Sequence, residues 1–518
     1  MENIGNVVGN TNTTDFTVTV NPDMCSVGDL VCIEVGENMV WARIFRMERY
    51  NPFLQSEAIS ELAKENEDSL NTVLSMDYDN VIAQGRILGV NKNLKPLKYP
   101  LNPGAKVLKP SAKLVQEVLT GSDTDAPLRL GTLIGRSDVE IKLNGNKVVA
   151  RHMAILAQTG GGKTVASKRV IRETFEAGYP VIIFDIHGDY LAFKKKQQEL
   201  FPDKVVKLYY PSIKYTEKNF LDVIEQINEQ LNSKLSDPQY EALANALKTI
   251  NFNDGEVKEW QTFIAELEAA LEESKDKSAG IVKRGIRRLR EHFNQMDASS
   301  SRLREGLGKH FEGQFEVMPK LTDVTAYVKP NQLTIIYLGG YDSLAQSSTA
   351  ARLLSTLFEK RAALTNKISP FLAVLEEAHN LIPSRREKGD TPMPSIGIIR
   401  KIMTEGRKFG VGLLLISQRP SRLDDTTLSQ CNTHLILKLT NPKDQSFVSK
   451  VMENITDAEL NQLPALGPGE GIISGQAIKF TNMVTVDHDK DLEMEFFSEN
   501  FIQDAKNWKD DDNIDFDD

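Results

Sequence analysis

Apolar and polar positions near the start of the chain follow a period of two. Phe16-Thr17-Val18-Thr19-Val20 alternates, and the apolar runs Leu30 to Val35 and Val40 to Phe45 flank the turn residues Gly36-Glu37-Asn38. Such short runs between turn signals predict strands, and their succession to about residue 90 predicts a small β-barrel. Ser56 to Ser75 is polar with Ile59, Leu62 and Leu70, which predicts a helix inserted between strands. Lys92 to Pro110 is rich in Lys and Pro and predicts a connector, followed by one short helix over Lys113 to Leu119. Val139 to Leu143 and Lys147 to Ala150 flank Asn144-Gly145, a pair that favours a type I′ hairpin turn.

From Met153 onward short apolar runs alternate with helical periods. Met153 to Leu156 predicts a strand, and Val165 to Ala177 a helix with Val170, Ile171 and Phe175 on one face and a C-terminal signal at Gly178. Val181 to Phe184, Leu333 to Leu338, Phe371 to Leu375, Gly412 to Ser417 and Leu435 to Leu439 read as further buried strands. Helices are predicted around Leu353, Leu354, Leu357 and Phe358, and over Ser395 to Lys408. This alternation makes a parallel sheet with helices on both faces. Between them, residues 212–325 carry helical stripes, Ile224, Ile227 and Leu231, then Trp260, Phe263, Ile264, Leu267 and Leu271, which predict a helical insertion. Thr456-x-x-Glu459 fits a capping box, and Glu470 to Ser474 with Ala477 to Phe480 a hairpin through Gly475-Gln476. The expected division is a β-barrel domain at 1–125, two parts of an α/β core at 126–211 and 326–500 separated by the insertion, the second with a C-terminal extension, and an acidic tail at 501–518 whose end, Asp510 to Asp518, is expected to be disordered.

Composition narrows this little. Forty per cent hydrophobic and 26% charged residues suit a globular protein of several domains. No run reaches the roughly 18 apolar residues of a membrane span, and the first residues lack a signal-peptide pattern, so the expectation is a cytoplasmic protein with no membrane role. Three cysteines, Cys25, Cys32 and Cys431, build no disulfide framework and have no partners for zinc, so they read as structural thiols. A net charge of −10 argues against a surface coated with nucleic acid, although a basic channel inside an assembly is compatible with it.

The chemistry lies at strand ends. Met153 to Thr164 reads MAILAQTGGGKT: strand, three glycines, lysine, threonine, helix. Glycines let backbone N–H groups converge on phosphate oxygens, the lysine reaches the β- and γ-phosphates, and the threonine hydroxyl ligates Mg²⁺. Thr159, Gly160, Gly161, Gly162, Lys163 and Thr164 are therefore the candidate ATP-binding residues, with Ala157 standing where the pattern expects its first glycine. Glu376-Glu377 ends a buried strand: Glu376 is expected to join Thr164 in the Mg²⁺ shell, and Glu377 to polarise the attacking water. Gln418, at the tip of another strand, is read as a γ-phosphate sensor or a water-positioning residue. Asp185-Ile186-His187-Gly188-Asp189 fits either a strand-end turn or a role near Mg²⁺. The basic run Lys283 to Arg290, KRGIRRLR, fits either a solvated helix face or a phosphate-facing one.

The phosphate loop preceded by Arg151-His152, DIHGDY from Asp185, LEEAHNL from Leu375, EGRKFG from Glu405 and SQRP from Ser417 together resemble the HerA ATPases, relatives of the FtsK DNA translocases. The resemblance spans most of the chain and implies an α/β fold: a P-loop (RecA/FtsK-like) ATPase core with an N-terminal β-barrel and a helical insertion. It implies a homohexameric ring that threads double-stranded DNA and works with a NurA-like nuclease or, in antiphage defence, with a sirtuin-type or other effector. It further implies that Arg407 is the arginine finger for a neighbouring subunit's ATP, with Arg400 in reserve. Two rival expectations are an ATP-dependent scaffold that organises an effector without moving DNA, and a protein-translocating motor of the secretion type.

Overall fold

The computed structural model describes residues 1–493 apart from 22, 51–79, 121–125, 212–213, 218, 232, 254–255, 275, 312–315, 320, 322, 366–367, 385–392, 453–454 and 456. The expected helix at Ser56 to Ser75, the cap residue Thr456 and the acidic tail lie outside the described residues.

Strands β1 (Glu2–Val8), β2 (Asp15–Val20), β3 (Leu30–Val35), β4 (Asn38–Tyr50), β5 (Asn80–Val90) and β6 (Lys106–Lys109) form a closed barrel in the order β1-β2-β5-β4-β3-β6. Val18, Val31, Ile33, Val40, Ala42, Ile44 and Ala83 fill its interior. The Lys- and Pro-rich stretch is more than a connector, because its end, β6, pairs with both β1 and β3 and closes the barrel. Closure leaves no open strand edge. Arg43 of β4 crosses to the rest of the chain, where it pairs with buried Glu459 and donates to Thr481 O at 2.6 Å.

The second sheet has twelve strands. It adds β7 (Pro127–Leu133), β8 (Arg136–Asn144), β9 (Met153–Leu156), β10 (Val181–Asp185), β11 (Val205–Tyr210), β14 (Glu316–Val317), β15 (Gln332–Tyr337), β16 (Phe371–Leu375), β17 (Val411–Ser417), β18 (Thr433–Leu437), β19 (Glu470–Gly475) and β20 (Asn482–Val486), in the order β14-β11-β15-β10-β16-β17-β9-β18-β19-β20-β7-β8. Pairing is parallel from β14 to β18 and antiparallel from β18 to β8. Every residue of β9, β10, β16 and β17 is buried, as required of parallel strands covered on both faces.

Two local expectations change. Asn144-Gly145 makes no hairpin: β8 pairs back onto β7, and Gly145–Ala150 is a helix whose N-cap, Asn144, accepts from Lys147 N at 3.0 Å. Asn serves caps as readily as turns, and burial of Val148 and Val149 favours the helix here. β19 returns through β20 with Ile473 opposite Asn482, while Ala477 and Ile478 are packed into the core instead of pairing.

The insertion leaves after β11. A small ladder of β12 (Lys214–Tyr215) and β13 (Lys258–Glu259) accompanies helices Phe220–Leu231, Asp237–Thr249, Trp260–Glu273 and Ala279–Phe311 around a core of its own, which contains Ile227, Leu243, Phe263, Leu267, Val282 and Ile286. Arg284, Arg287 and Arg288 are exposed and Arg290 pairs with Glu268, so this part of the basic run is a solvated helix face.

Two buried histidines tie strands to neighbouring elements. His152 Nδ1 accepts from Leu413 N at 3.0 Å and Nε2 faces Met403 O at 3.2 Å, while His434 Nε2 faces Leu428 O at 3.3 Å. Burial holds both imidazoles down at about 4, against a small opposing effect of the carbonyls. Both stay neutral when folded and gain protons when unfolded. Their stabilisation is complete above about pH 6.5 and drains as pH falls toward 4. Denaturant unfolding should therefore lose about 2 kcal/mol per histidine between about pH 7 and about pH 5. In His152→Asn, a residue that tolerates the positive φ of 57° at this position, one such share should disappear; an unchanged pH slope would refute the assignment.

Candidate nucleotide site

The loop between β9 and the helix Lys163–Glu176 is pinned from three sides. Ala157 N donates to Ser417 O at 3.2 Å, Gln158 N to Lys438 O at 3.0 Å, and Gly469 N to Gly161 O at 3.2 Å. Gly162 has φ +92°, and a Cβ there would lie 2.5 Å from Gly469 N, so conformation and crowding both require glycine. Ala157 is fully buried beneath the loop, where its methyl group is accommodated in the core. The helix begins at Lys163 with no side-chain cap on Gly162, which leaves its first N–H groups to a ligand.

Four strand ends converge on this loop. Glu377, the second residue beyond β16, has φ +43°, an uncommon left-handed conformation for a non-glycine residue. Its Oε1 accepts from Lys163 Nζ, its Oε2 accepts from Gln418 N at 3.4 Å, and His379 Nδ1 lies 3.3 Å from Oε2. Burial raises the affinity of Glu377 for a proton, but the His379 hydrogen bond and the Lys163 charge outweigh it and hold the carboxyl at about 2. Gln418 Oε1 accepts from Thr159 Oγ1 at 2.7 Å, which joins the end of β17 to the loop.

Glu376 is fully buried. Its Oε2 accepts from Ile186 N at 2.9 Å and His187 N at 3.3 Å, whereas Oε1 has no hydrogen-bond donor. Burial, then the neighbouring Asp185 and Asp189, push its carboxyl well above the usual range, and burial raises Asp185 as well. A shared proton or a cation satisfies such a pair. Asp185 accepts from Gly188 N at 2.7 Å, Asp189 N at 3.2 Å and Tyr190 N at 3.1 Å, which is the turn role open to it. Asp189 Oδ2 accepts from Thr164 Oγ1 at 3.0 Å.

Thr159, Gly160, Gly161, Gly162, Lys163, Thr164, Glu376, Glu377 and Gln418 thus lie together, and the two arginines lie elsewhere. Arg407 is exposed on the last turn of the helix Ser395–Phe409, which enters β17 through Gly410, so it sits at the opposite end of that strand from Gln418. Seven strand residues put it roughly 20 Å from the loop. It makes no ion pair with Glu405 among the described residues, while Arg400 pairs with Asp424 at 2.5 Å. His379 and Gly469 received no role from the sequence. His379 lies within the LEEAHNL motif and was detectable there, but Gly469, distant in the chain, gave no local signal.

The chain is similar to known proteins. The family model of the helicase HerA central domain matches residues 128–357. The DNA double-strand break repair helicase HerA of Saccharolobus solfataricus is 32% identical over 373 residues, covering 70% of this chain and 69% of that protein. Its counterpart from Pyrococcus furiosus is 29% identical over 536 residues, with 92% and 88% covered. Among solved structures, VirB4 of Thermoanaerobacter pseudethanolicus gives a TM-score of 0.47 at 16% identity, covering 71% of this chain and 98% of that one. The family model spans the phosphate loop and the Saccharolobus relative aligns over two thirds of both chains: this chain belongs to the HerA helicase family and is a P-loop ATPase.

Proposed function

We propose that the protein is a ring-forming, Mg²⁺-dependent ATPase that translocates along or remodels double-stranded DNA. The observation that carries this reading is the meeting of Lys163 with ionised Glu377 at the edge of the sheet where the phosphate loop opens. A lysine held by a carboxylate there has a competing partner in a nucleotide phosphate. Once Lys163 turns to the β- and γ-phosphates, the His379 hydrogen bond is what remains to favour the Glu377 carboxylate, which accepts a hydrogen bond from the water that attacks the γ-phosphate. Gln418, bridged to Thr159, orients that water or reports the γ-phosphate.

Thr164 and Glu376 fit a Mg²⁺ site, since one offers a hydroxyl oxygen and the other a buried carboxylate oxygen without a donor. When bound, Mg²⁺ would neutralise charge on the phosphates. Arg407 is exposed and far from its own loop, which suits a finger supplied to the next subunit of a homohexamer; Arg400, held by Asp424, suits it less. Duplex DNA as the track is supported by the relatives, which are named DNA double-strand break repair helicases. A nuclease or defence effector as working partner rests on the family resemblance. Among the described residues no helix is long and apolar enough to cross a membrane.

Steady-state ATP hydrolysis with and without linear duplex DNA, at two salt concentrations, tests the proposal. DNA should stimulate the rate, and salt should weaken the stimulation as phosphate contacts are screened; a rate indifferent to DNA would favour the scaffold. Lys163→Ala should abolish nucleotide binding in an equilibrium titration. Glu377→Gln should bind ATP but turn over about 10²-fold or more slowly. Arg407→Ala should cost about 10³-fold in turnover with nucleotide affinity nearly intact, and a normal rate in that variant would remove the finger assignment.

A further inference from the structure

Glu376 is the carboxylate that the strand-end pattern assigns to the metal, yet it does not receive the Thr164 hydroxyl proton. Its Oε2 is occupied by Ile186 N and His187 N, and Thr164 Oγ1 donates instead to Asp189 Oδ2 at 3.0 Å. A hydroxyl has one hydrogen and two lone pairs. With the hydrogen committed to Asp189, the lone pairs are what Thr164 presents to anything else.

The backbone places Asp189 for this contact. The Asp185 carboxylate accepts from the consecutive N–H groups of Gly188, Asp189 and Tyr190, and Gly188 takes φ +85° to make the turn. Tyr190 OH then meets Ser167 Oγ at 2.8 Å, which locks the turn to the helix that carries Thr164. The Asp189–Thr164 bond therefore joins two segments already fixed relative to each other. One oxygen of Glu376, the carboxylate that follows β16, is buried without a donor.

We infer that Asp189 is a positioning residue for the metal-bound nucleotide. It holds the Thr164 hydroxyl in the rotation that offers a lone pair to a divalent cation, while Glu376 supplies the second oxygen. This rests on the assignment of Thr164 to Mg²⁺ proposed above and extends it to a residue outside both the phosphate loop and the Glu376-Glu377 pair. The competing explanation is that Asp189 only staples its turn to the helix.

The two are separated by binding of a fluorescent N-methylanthraniloyl-ADP to the full chain, titrated with free Mg²⁺ and repeated in EDTA. In Asp189→Ala the Mg²⁺ midpoint should rise about tenfold or more, as when the orienting partner of a metal ligand is removed. Affinity in EDTA and the melting temperature should stay at wild-type values, since Asp189 is half-buried and the change removes one hydrogen bond. Asp189→Asn, which keeps an acceptor oxygen, should recover part of the shift. An unchanged midpoint in Asp189→Ala, or equal weakening with and without Mg²⁺, would overturn the inference. Thr164→Val distinguishes the levels of failure. If it shifts the midpoint and Asp189→Ala does not, only the role of Asp189 is lost; if neither does, the metal assignment of Thr164 falls with it.

Discussion

The ion pair between Lys163 and Glu377 is the constraint on which the site depends. Their side chains are only 12% and 2% exposed, so both charges are largely removed from water, and each leaves the other uncompensated if it is taken away. The pair joins the phosphate-loop helix to the end of β16. Around it, His379 and Gln418 N hold the second oxygen of Glu377, and Thr159 holds the side chain of Gln418. One charge pair thereby registers two strands, β16 and β17, against one loop, and it does so with a lysine for which a phosphate can compete.

The fold explains how residues so far apart in the chain reach that point. β9, β10, β16 and β17 are parallel neighbours in one sheet, and a parallel sheet delivers the carboxyl ends of its strands to one edge. The long insertion departs after β11 and the chain returns through β14 at the edge of the sheet, so it has its own core without interrupting the strands that carry the site. The antiparallel side of the sheet supplies Gly469, just before β19, whose backbone fits against Gly162 because Gly162 has no side chain. Arg43 and Glu459 link the barrel to the same region, a buried contact between parts of the chain that are remote in sequence.

Much of this was legible in the sequence because the signals are local. A strand, a glycine run and a helix follow one another within Met153 to Glu176, and apolar strands announce Glu376-Glu377 and Gln418 at their ends. What escaped depends on tertiary neighbours. Asn144-Gly145 satisfies a turn and a helix cap equally well, and the packing of Val148 and Val149 decides between them. β6 is four residues long within a Pro-rich stretch, and only its partners β1 and β3 make it a strand. The sequence placed Asp189 at a strand end and left turn and metal both open, since the hydroxyl it meets lies twenty-five positions away and gives no local signal.

The central claim is that Lys163 exchanges Glu377 for phosphate while Glu377 remains charged and in place. The most direct measurement is an experimental structure of the wild-type chain with Mg²⁺ and a non-hydrolysable ATP analogue. The account predicts Lys163 Nζ on the phosphate oxygens, parted from Glu377, with the Glu377 carboxylate still held by His379 and Gln418 N and facing the γ-phosphate. A bound nucleotide with the Lys163–Glu377 pair intact, or with Glu377 turned out of the site, would contradict it.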